Sequence, residues 1–156
     1  MTERHRSITN VMVLLQRPSD GRVLTVRHGQ DSSHSPGQLT VIGGHLEKGE
    51  FCDEGAAREL LEEAGVHVGE GELEFCQLSH FRTQDDHVIG VAFAAQQWQG
   101  EPYNREQGKH TALVWVDPGQ PPSDCHPFTA AVLRNFAAGV LYAQISAPEQ
   151  EAGAAA

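Results

Sequence analysis

The chain has 156 residues, of which 39% are hydrophobic, and its formal net charge is −10. This length and apolar fraction suit one domain with one core, and the negative charge argues against a nucleic acid polymer or an anionic membrane as a partner. The longest apolar run near the start, Val11–Leu15, is too short to span a membrane. The three scattered cysteines (Cys52, Cys76 and Cys125) form no C-x-x-C pair, so the sequence predicts neither a disulfide framework nor a zinc site and favours the reducing cytoplasm.

The first part of the chain predicts three strands and one loop. Ile8–Gln16 contains a continuous apolar run, which is typical of a strand that is covered on both faces. After a turn at residues 18–21, Arg22–His28 is predicted to return as a second strand, so that the two form a hairpin. Gly29–Gly37 is a polar loop of the kind that borders functional sites. Leu39–Ile42 is predicted as a short strand that leads into a glycine-rich loop.

A helix is predicted over Phe51–Ala64, with Gly65 as its left-handed C-terminal cap. Apolar residues at i, i+3, i+4 and i+7 form its predicted buried stripe, which consists of Ala57, Leu60, Leu61 and Ala64. Glu59, Glu62 and Glu63 are spaced three and four residues apart, so they are predicted to lie together on the opposite, polar face. Three carboxylates therefore share one side of this helix.

Such a group of like charges is unfavourable unless a positive charge lies nearby. Like charges one turn apart repel by roughly a few tenths of a kcal/mol per pair, and Glu62 and Glu63 lie near the helix end that disfavours anions. Mg²⁺ and Mn²⁺ prefer carboxylate and carbonyl oxygens and would reverse both costs. For the glutamate triplet alone, a solvated acidic surface is the simpler interpretation.

The remainder of the chain predicts three more strands and a second helix. Leu73–Phe81 and Val88–Gln97 are predicted as strands joined by a turn, and Thr111–Val116 is predicted as the last strand. Pro127–Ala138 is predicted as a helix, with a proline in its first turn. No repeat and no second core are evident, so residues 1–145 are predicted to form a single domain. The final residues 146–156 have a composition typical of a disordered tail.

The acidic helix lies within a longer pattern that starts at Gly44. The pattern reads G-x5-E-x7-R-E-L-x-E-E-x-G-V and ends at Val66. This arrangement matches every fixed position of the Nudix box, so the chain resembles a Nudix hydrolase. The resemblance implies an α/β/α sandwich around a mixed β-sheet. It also implies hydrolysis of a nucleoside diphosphate linked to another group, with Mg²⁺ or Mn²⁺ as the cofactor.

The resemblance also implies roles for individual residues. The metal ligands that it implies within and beside the box are Glu59, Glu62, Glu63 and the carbonyl of Gly43. Residues that it implies to support the box are Gly44, Glu50, Arg58 and Gly65, of which Arg58 is expected to hold a box carboxylate. Glu59 is the first candidate for the base that takes the proton of the attacking water.

A second stretch, Trp98–Glu106, resembles the W-x-G-E-P loop of MutT-like Nudix enzymes. In that subgroup a glutamate four residues after the proline completes the metal site, which here is Glu106. This residue is the second candidate for the base, and an exposed glutamate on a polar loop is the alternative interpretation. The loop favours a nucleoside triphosphate, a (d)NTP, as the substrate.

Substrate contacts are less well defined by the sequence. Arg27, His28 and His45 are candidate substrate-binding residues. Arg27 could equally be a surface arginine, and each histidine taken alone is more often an ordinary residue. MutT itself contacts guanine through residues that correspond to Asp86 and Cys125 here, so recognition of an oxidised guanine is not predicted. ADP-ribose hydrolases carry a proline at the position where this chain has Phe81. This difference counts against ADP-ribose as the substrate.

Three functions therefore stay open. A MutT-like hydrolase of a (d)NTP comes first, and a hydrolase of another nucleoside diphosphate compound comes second. A Nudix-fold module that senses a nucleotide without cleaving it is the third, and the intact set of carboxylates argues against it. In each case the partner is a small-molecule nucleotide. Dimers are common in the family, so a homodimer stays open beside a monomer.

Overall fold

The computed structural model describes residues 2–147. Within this range the elements are β1 (Ile8–Leu15), β2 (Val23–His28), β3 (Leu39–His45), α1 (Cys52–Ala64), β4 (Glu74–Arg82), β5 (His87–Ala95), β6 (His110–Val116), α2 (Pro127–Ala137) and β7 (Tyr142–Ser146). Among the described helices there is none that combines the length and the hydropathy needed to cross a bilayer.

The strands form one mixed sheet in the order β6-β2-β3-β1-β5-β4-β7. The pairs β1/β5 and β4/β7 are parallel, and the other neighbouring pairs are antiparallel. Helix α1 packs against β1 and β3, whereas α2 packs against the opposite face of the sheet, mainly on β4. A mixed sheet between two helical layers confirms the predicted α/β/α sandwich.

Strand β1 supplies side chains to both cores of the sandwich. Val11, Val13 and Leu15 pack in the core beneath α1, and the alternating residues Met12 and Leu14 pack in the core beneath α2. Because successive residues of a strand point to opposite faces, the continuous apolar run gives each core a row of side chains. The predicted two-sided burial of this strand is confirmed.

The predicted hairpin of the first two strands is wrong. Strand β3 lies between β1 and β2 and is antiparallel to both, while a bridge from Gln16 to Val23 joins the strand ends beside the turn. The turn residues determine where the chain reverses, but they do not determine which strand pairs with which. Because β3 lies inside the sheet, its side chains Leu39 and Ile42 are both buried, one on each face.

The predicted buried stripe of α1 is only partly correct. Leu60 and Ala64 are buried as expected, but Ala57 and Leu61 are only half-buried. The helix is rotated so that it also buries Ala56 and Glu63. Apolar periodicity could not find this rotation, because it counts every glutamate as a residue of the exposed face.

The sequence analysis missed β7. This edge strand runs parallel to β4. Ala143 and Ile145 are half-buried, and they alternate with exposed residues along the strand. Ser146 pairs with Arg82 at the end of this strand, so the strand extends one residue into the predicted tail. Residues 148–156 of that predicted tail lie outside the described residues.

Candidate active site

Two glycines at the end of β3 lie where a side chain would collide with a neighbouring element. A side chain at Gly43 would collide with the carbonyl oxygen of Val11 on β1, and a side chain at Gly44 would collide with the carboxylate of Glu59. The absence of a side chain at Gly44 lets the Glu59 carboxylate rest directly against the backbone of β3. The close approach of helix and strand thus depends on Gly44, whereas Gly43 allows the close pairing of β3 with β1.

Arg58 connects the loop before α1 to the helix. Its guanidinium donates to Glu50 at 2.5 Å, to Glu59 at 2.9 Å and to Glu62 at 3.3 Å, and it also reaches the His45 carbonyl at 3.1 Å. The hydrogen bond from Arg58 is the main cause of a lowered pKa at Glu50. The structure therefore places Arg58 and Glu50 where the box resemblance implies supporting residues, with the loop fixed relative to the helix.

The loop after β5 caps the C-terminal end of α1. Gly65 adopts φ 67°, the left-handed conformation predicted for this cap. The backbone N–H of Tyr103 donates to the Ala64 carbonyl, and that of Arg105 donates to the Glu63 carbonyl. The Arg105 side chain donates to the Leu61 carbonyl at 3.0 Å. These bonds satisfy carbonyls that a helix end leaves free, put a cation where the helix dipole favours one, and bring the following residue, Glu106, to the acidic face.

Three of the four predicted acidic residues converge. Glu63 is 7% exposed, and burial raises its pKa well above the ordinary value, with the nearby charges of Glu59 and Glu106 raising it further. The backbone N–H of Gly43 opposes this rise by bonding to Glu63. Burial also raises the pKa of Glu59, against the hydrogen bond from its neighbouring arginine. The fourth carboxylate, Glu62, has a side chain that is 46% exposed and lies at the rim.

Two residues that the sequence analysis did not single out complete this group. Lys109 donates to Glu106 Oε1 at 3.2 Å. His110 is 3% exposed, and it offers, with Glu63 and Glu106, three ligand atoms that lie within 4.8 Å of one another. Within residues 2–147, neither His110 Nδ1 nor Glu63 Oε2 has a hydrogen-bond partner. No motif marks His110 in the sequence, because the loop that carries Glu106 sets its position.

The predicted substrate-binding residues lie in three different surroundings. Arg27 forms an ion pair with Asp124 at 2.7 Å and donates to the Gly37 carbonyl at 3.0 Å, so it pins the polar loop after β2. His28 bonds to Thr40 at 2.8 Å. Its ring also contacts the edge of His110, with centroids 4.9 Å apart. The His45 side chain is exposed, and its carbonyl holds Arg58.

A cavity of about 290 Å³ lies on the α2 side of the same glycine pair. Its lining includes the polar residues Asn10, Thr83 and Thr129, together with the aromatic residues Phe81 and Phe128. The two aromatic rings have centroids 4.7 Å apart. Asn10 Oδ1 is buried and has no hydrogen-bond partner in the described part of the chain. The carboxylates and this cavity therefore meet at Gly43 and Gly44, from opposite faces of the sheet.

Comparisons with known proteins agree with this architecture. The chain matches the family model of the NUDIX domain over residues 6–136. A MutT NUDIX hydrolase from Burkholderia pseudomallei superposes with a TM-score of 0.72 at 21% identity, covering 83% of this chain and 97% of that one. The ORF135 protein of E. coli superposes with a TM-score of 0.69 at 25% identity, covering 85% and 90% of the two chains.

One curated relative matches a shorter region. The human m7GpppN-mRNA hydrolase NUDT17 is 40% identical over 68 residues, which are 44% of this chain. The match spans 20% of the length of the human protein. The box, the sandwich and the family match over most of the chain agree, and the chain belongs to the Nudix family. It is a Nudix hydrolase, with MutT proteins among its structural neighbours.

Nudix hydrolases act on nucleoside diphosphate-linked small molecules and use divalent metal ions. The acidic group fits such an ion on its own evidence. It joins the carboxylates of Glu59, Glu63 and Glu106, and burial followed by the charges of the other two raises the pKa of Glu63. Glu63 Oε2 is buried and has no hydrogen-bond partner among the described residues. Buried like charges of this kind are costly, and a bound cation would offset the cost.

Proposed function

We propose that this protein hydrolyses a nucleoside diphosphate-linked substrate, with a (d)NTP as the first candidate. Water would attack a phosphorus of the diphosphate bridge and displace the other phosphate group. The observation that carries this proposal is the convergence of Glu59, Glu63 and Glu106 beside Gly43–Gly44, next to a cavity on the other face of the sheet. A metal site for the phosphates and space for the nucleoside would therefore be adjacent.

The acidic group is the proposed site of Mg²⁺ or Mn²⁺. Glu59, Glu63 and Glu106 would hold the ion, with the Gly43 carbonyl and the rim carboxylate Glu62 as the further ligands that the box resemblance implies. When bound, a divalent ion of this kind screens the phosphate charge and lowers the pKa of the attacking water. Hard cations of this type prefer an all-oxygen set of carboxylates and carbonyls.

The protein's own groups supply the proton transfer and the orientation. Glu59 is our first candidate for the general base, because burial raises its pKa towards the range in which a carboxylate accepts a proton efficiently. Its position is fixed by Arg58 at 2.9 Å and by the backbone of Gly44. Glu106 is the second candidate, and Lys109 orients it from the solvent side.

The cavity under α2 is the proposed site of the nucleoside. Its volume is close to the lower end of the range for small-molecule sites, which suits a base and part of a sugar. Phe81 and Phe128 offer apolar surface to a base. The free oxygen of Asn10 offers an acceptor for an N–H group of the ligand. The W-x-G-E-P resemblance of the loop that carries Glu106 is the reason for placing a (d)NTP first.

A second candidate is another nucleoside diphosphate compound. The observation in its favour is the 40% identity to part of a human mRNA cap hydrolase, since a cap is a nucleotide joined through a polyphosphate. A dinucleoside polyphosphate is the small-molecule form of that chemistry. The same acidic group would serve both substrates, and only the leaving group would differ.

The test is a phosphate-release screen of (d)NTPs, oxidised (d)NTPs, dinucleoside polyphosphates, ADP-ribose and nucleotide sugars, each with and without Mg²⁺ or Mn²⁺. Wild type would be compared with Glu59→Gln and with Glu74→Gln, which alters an exposed glutamate on β4 as a matched control. Metal-dependent release in wild type and Glu74→Gln, but not in Glu59→Gln, is the expected result. If all three proteins bind nucleotide and none hydrolyses it, the proposal is wrong and the protein is better described as a nucleotide-sensing module.

A further inference from the structure

His110 is a buried side chain beside the acidic group, and the proposed function assigns no role to it. It is the first residue of β6 and follows directly on Lys109, which holds Glu106. Its backbone is fully engaged, because its N–H donates to the Glu106 carbonyl at 2.9 Å and its carbonyl accepts from Asn104 at 2.7 Å. The backbone therefore holds the imidazole against the acidic group.

The ring nitrogen Nδ1 of His110 is buried and has no hydrogen-bond partner within the described residues. The neighbouring ring of His28 cannot satisfy it through Nε2, since that nitrogen already bonds to Thr40 at 2.8 Å. Glu106 Oε2 lies 3.8 Å away, which is too far for a hydrogen bond. A buried polar atom without a partner is costly unless it has a ligand.

Glu63 presents a second atom of this kind. Its Oε2 is buried and has no partner in the part of the chain that the structure describes. One atom each from Glu63, Glu106 and His110 lie within 4.8 Å of one another. Ligands at about 2.1 Å from a common ion are about 3 Å apart when adjacent and about 4.2 Å apart when opposite. Separations of no more than 4.8 Å therefore leave the three atoms close enough for small side-chain movements to bring them onto one ion.

We propose that His110 is a ligand of the metal centre, together with Glu63 and Glu106, and that its imidazole shifts the preference of the site from Mg²⁺ towards later transition cations such as Co²⁺. This inference rests on the proposed function, because it concerns the same metal site. It goes beyond the all-oxygen set that the box implies, since His110 lies outside the box and outside the downstream loop motif.

The chemistry of the donor explains the preference. Mg²⁺ binds carboxylates, carbonyls and water, whereas imidazole nitrogen suits transition metals. Replacement of one oxygen ligand by nitrogen therefore strengthens the binding of Co²⁺ relative to that of Mg²⁺. The change in metal preference would come from this one ligand, because the remaining ligands that we propose are oxygens.

The direct test is pulsed electron paramagnetic resonance of Mn²⁺ bound to the full chain, which detects coordinated nitrogen without any need for turnover. Wild type is expected to show ¹⁴N modulation that changes to the ¹⁵N pattern when only histidine is ¹⁵N-labelled. The modulation should be lost in His110→Gln and kept in His28→Gln, the matched variant of the ring beside it. The labelling experiment needs no substitution, so it stands even where His110→Gln fails to fold.

Metal affinity provides a second readout. In His110→Gln, the affinity for Co²⁺ relative to Mg²⁺ should fall roughly tenfold or more, because even the loss of a residue that only orients a ligand costs that much. His28→Gln should keep the wild-type ratio. These ratios come from metal titrations in the absence of nucleotide.

The outcomes separate this inference from the proposed function. Bound Mn²⁺ without histidine nitrogen modulation would overturn the role of His110 and leave the carboxylate site intact. An unchanged Co²⁺ to Mg²⁺ ratio in folded His110→Gln would do the same. Failure of wild type to bind Mn²⁺ at all would overturn both the inference and the metal site on which it rests.

Discussion

The two faces of the sheet carry very different surfaces where they meet at Gly43 and Gly44. On the α1 face, carboxylates crowd together with a buried Glu63 whose pKa is strongly raised. On the α2 face, the cavity is lined by threonines, phenylalanines and Asn10, and none of the thirteen lining residues carries a charge. Under the proposed function, the α1 face would perform the chemistry and the α2 face would select the nucleoside.

The two regions also differ in how the chain builds them. The α1 face comes largely from one continuous segment, a loop and helix fixed by Arg58 and the glycine pair. The cavity combines β1, the β4–β5 turn and α2, which are far apart in the sequence. Substitutions in one region should therefore leave the property of the other region unchanged.

The largest effect is expected for Glu63→Gln. Removal of the charge should lower the metal-dependent rate by roughly 10²- to 10³-fold, because a preorganised electrostatic contact is lost. The same change should raise the melting temperature of the metal-free protein, since it relieves repulsion among buried carboxylates. Rate assays and thermal unfolding with a chelator measure the two effects. A lower melting temperature without metal would show that Glu63 is not an uncompensated charge.

A comparable loss is expected for Gly44→Ala. The added methyl group would displace the Glu59 carboxylate, and misplacement of a catalytic group by about 1 Å costs roughly 10²-fold in rate. Gly119→Ala is the matched control, because its methyl group would make only an ordinary contact with Asp117 at 3.4 Å. Full activity in Gly44→Ala would mean that Glu59 need not lie against the strand.

A smaller and different effect is expected for Asn10→Leu. Removal of the free carboxamide should raise KM about tenfold while kcat stays close to wild type, as expected when a uniform binding contact is lost. Metal affinity should stay unchanged, because Asn10 faces the cavity and not the carboxylates. Steady-state kinetics and Mn²⁺ titration test both statements. A change in metal affinity with normal KM would contradict the division between the two faces.

The smallest effect is expected at the N-terminus of α2, where His126 Nδ1 accepts a hydrogen bond from Phe128 N–H at 3.2 Å. Burial lowers the pKa of His126, so the unfolded chain takes up a proton before the folded protein does. Stability is then complete above about pH 6.5 and is lost as the pH falls. His126→Asn keeps a good N-cap and removes this titration.

Chemical denaturation at a series of pH values measures that difference. The free energy of unfolding of wild type relative to His126→Asn should decrease from about pH 7 to about pH 5. Hydrolysis by the variant near neutral pH should resemble that of wild type. Parallel pH profiles for the two proteins would show that burial of His126 does not affect folding stability.

The sequence predicted the α1 face far better than the cavity. The box pattern, the glutamates and the capping role of Gly65 follow from fixed spacing, and the structure agrees with that cap. The burial of Glu63 could not be predicted, because it depends on how α1 rotates against β1 and on the Gly43 N–H that bonds to this carboxylate. Likewise, Glu106 reaches the acidic group only because Arg105 and its neighbours cap α1.

Strand pairing and the cavity required long-range information. The turn after β1 predicted a reversal but not the insertion of β3 between the first two strands. Strand β7 is short and lies at the edge, so its alternation was too weak to separate it from the tail. Asn10 and Phe81 share no motif, and they meet only because β1 and β4 flank β5.

Anomalous diffraction from crystals of the full chain soaked in Mn²⁺ tests the central claim most directly. The account predicts a strong anomalous peak on the α1 face between Glu59, Glu63 and Glu106, which disappears in Glu63→Gln crystals of the same form. The cavity under α2 should hold no such peak. An anomalous peak only at another site, or full Mn²⁺ occupancy of this site in the Glu63→Gln crystals, would contradict the assignment of this acidic group as the metal centre.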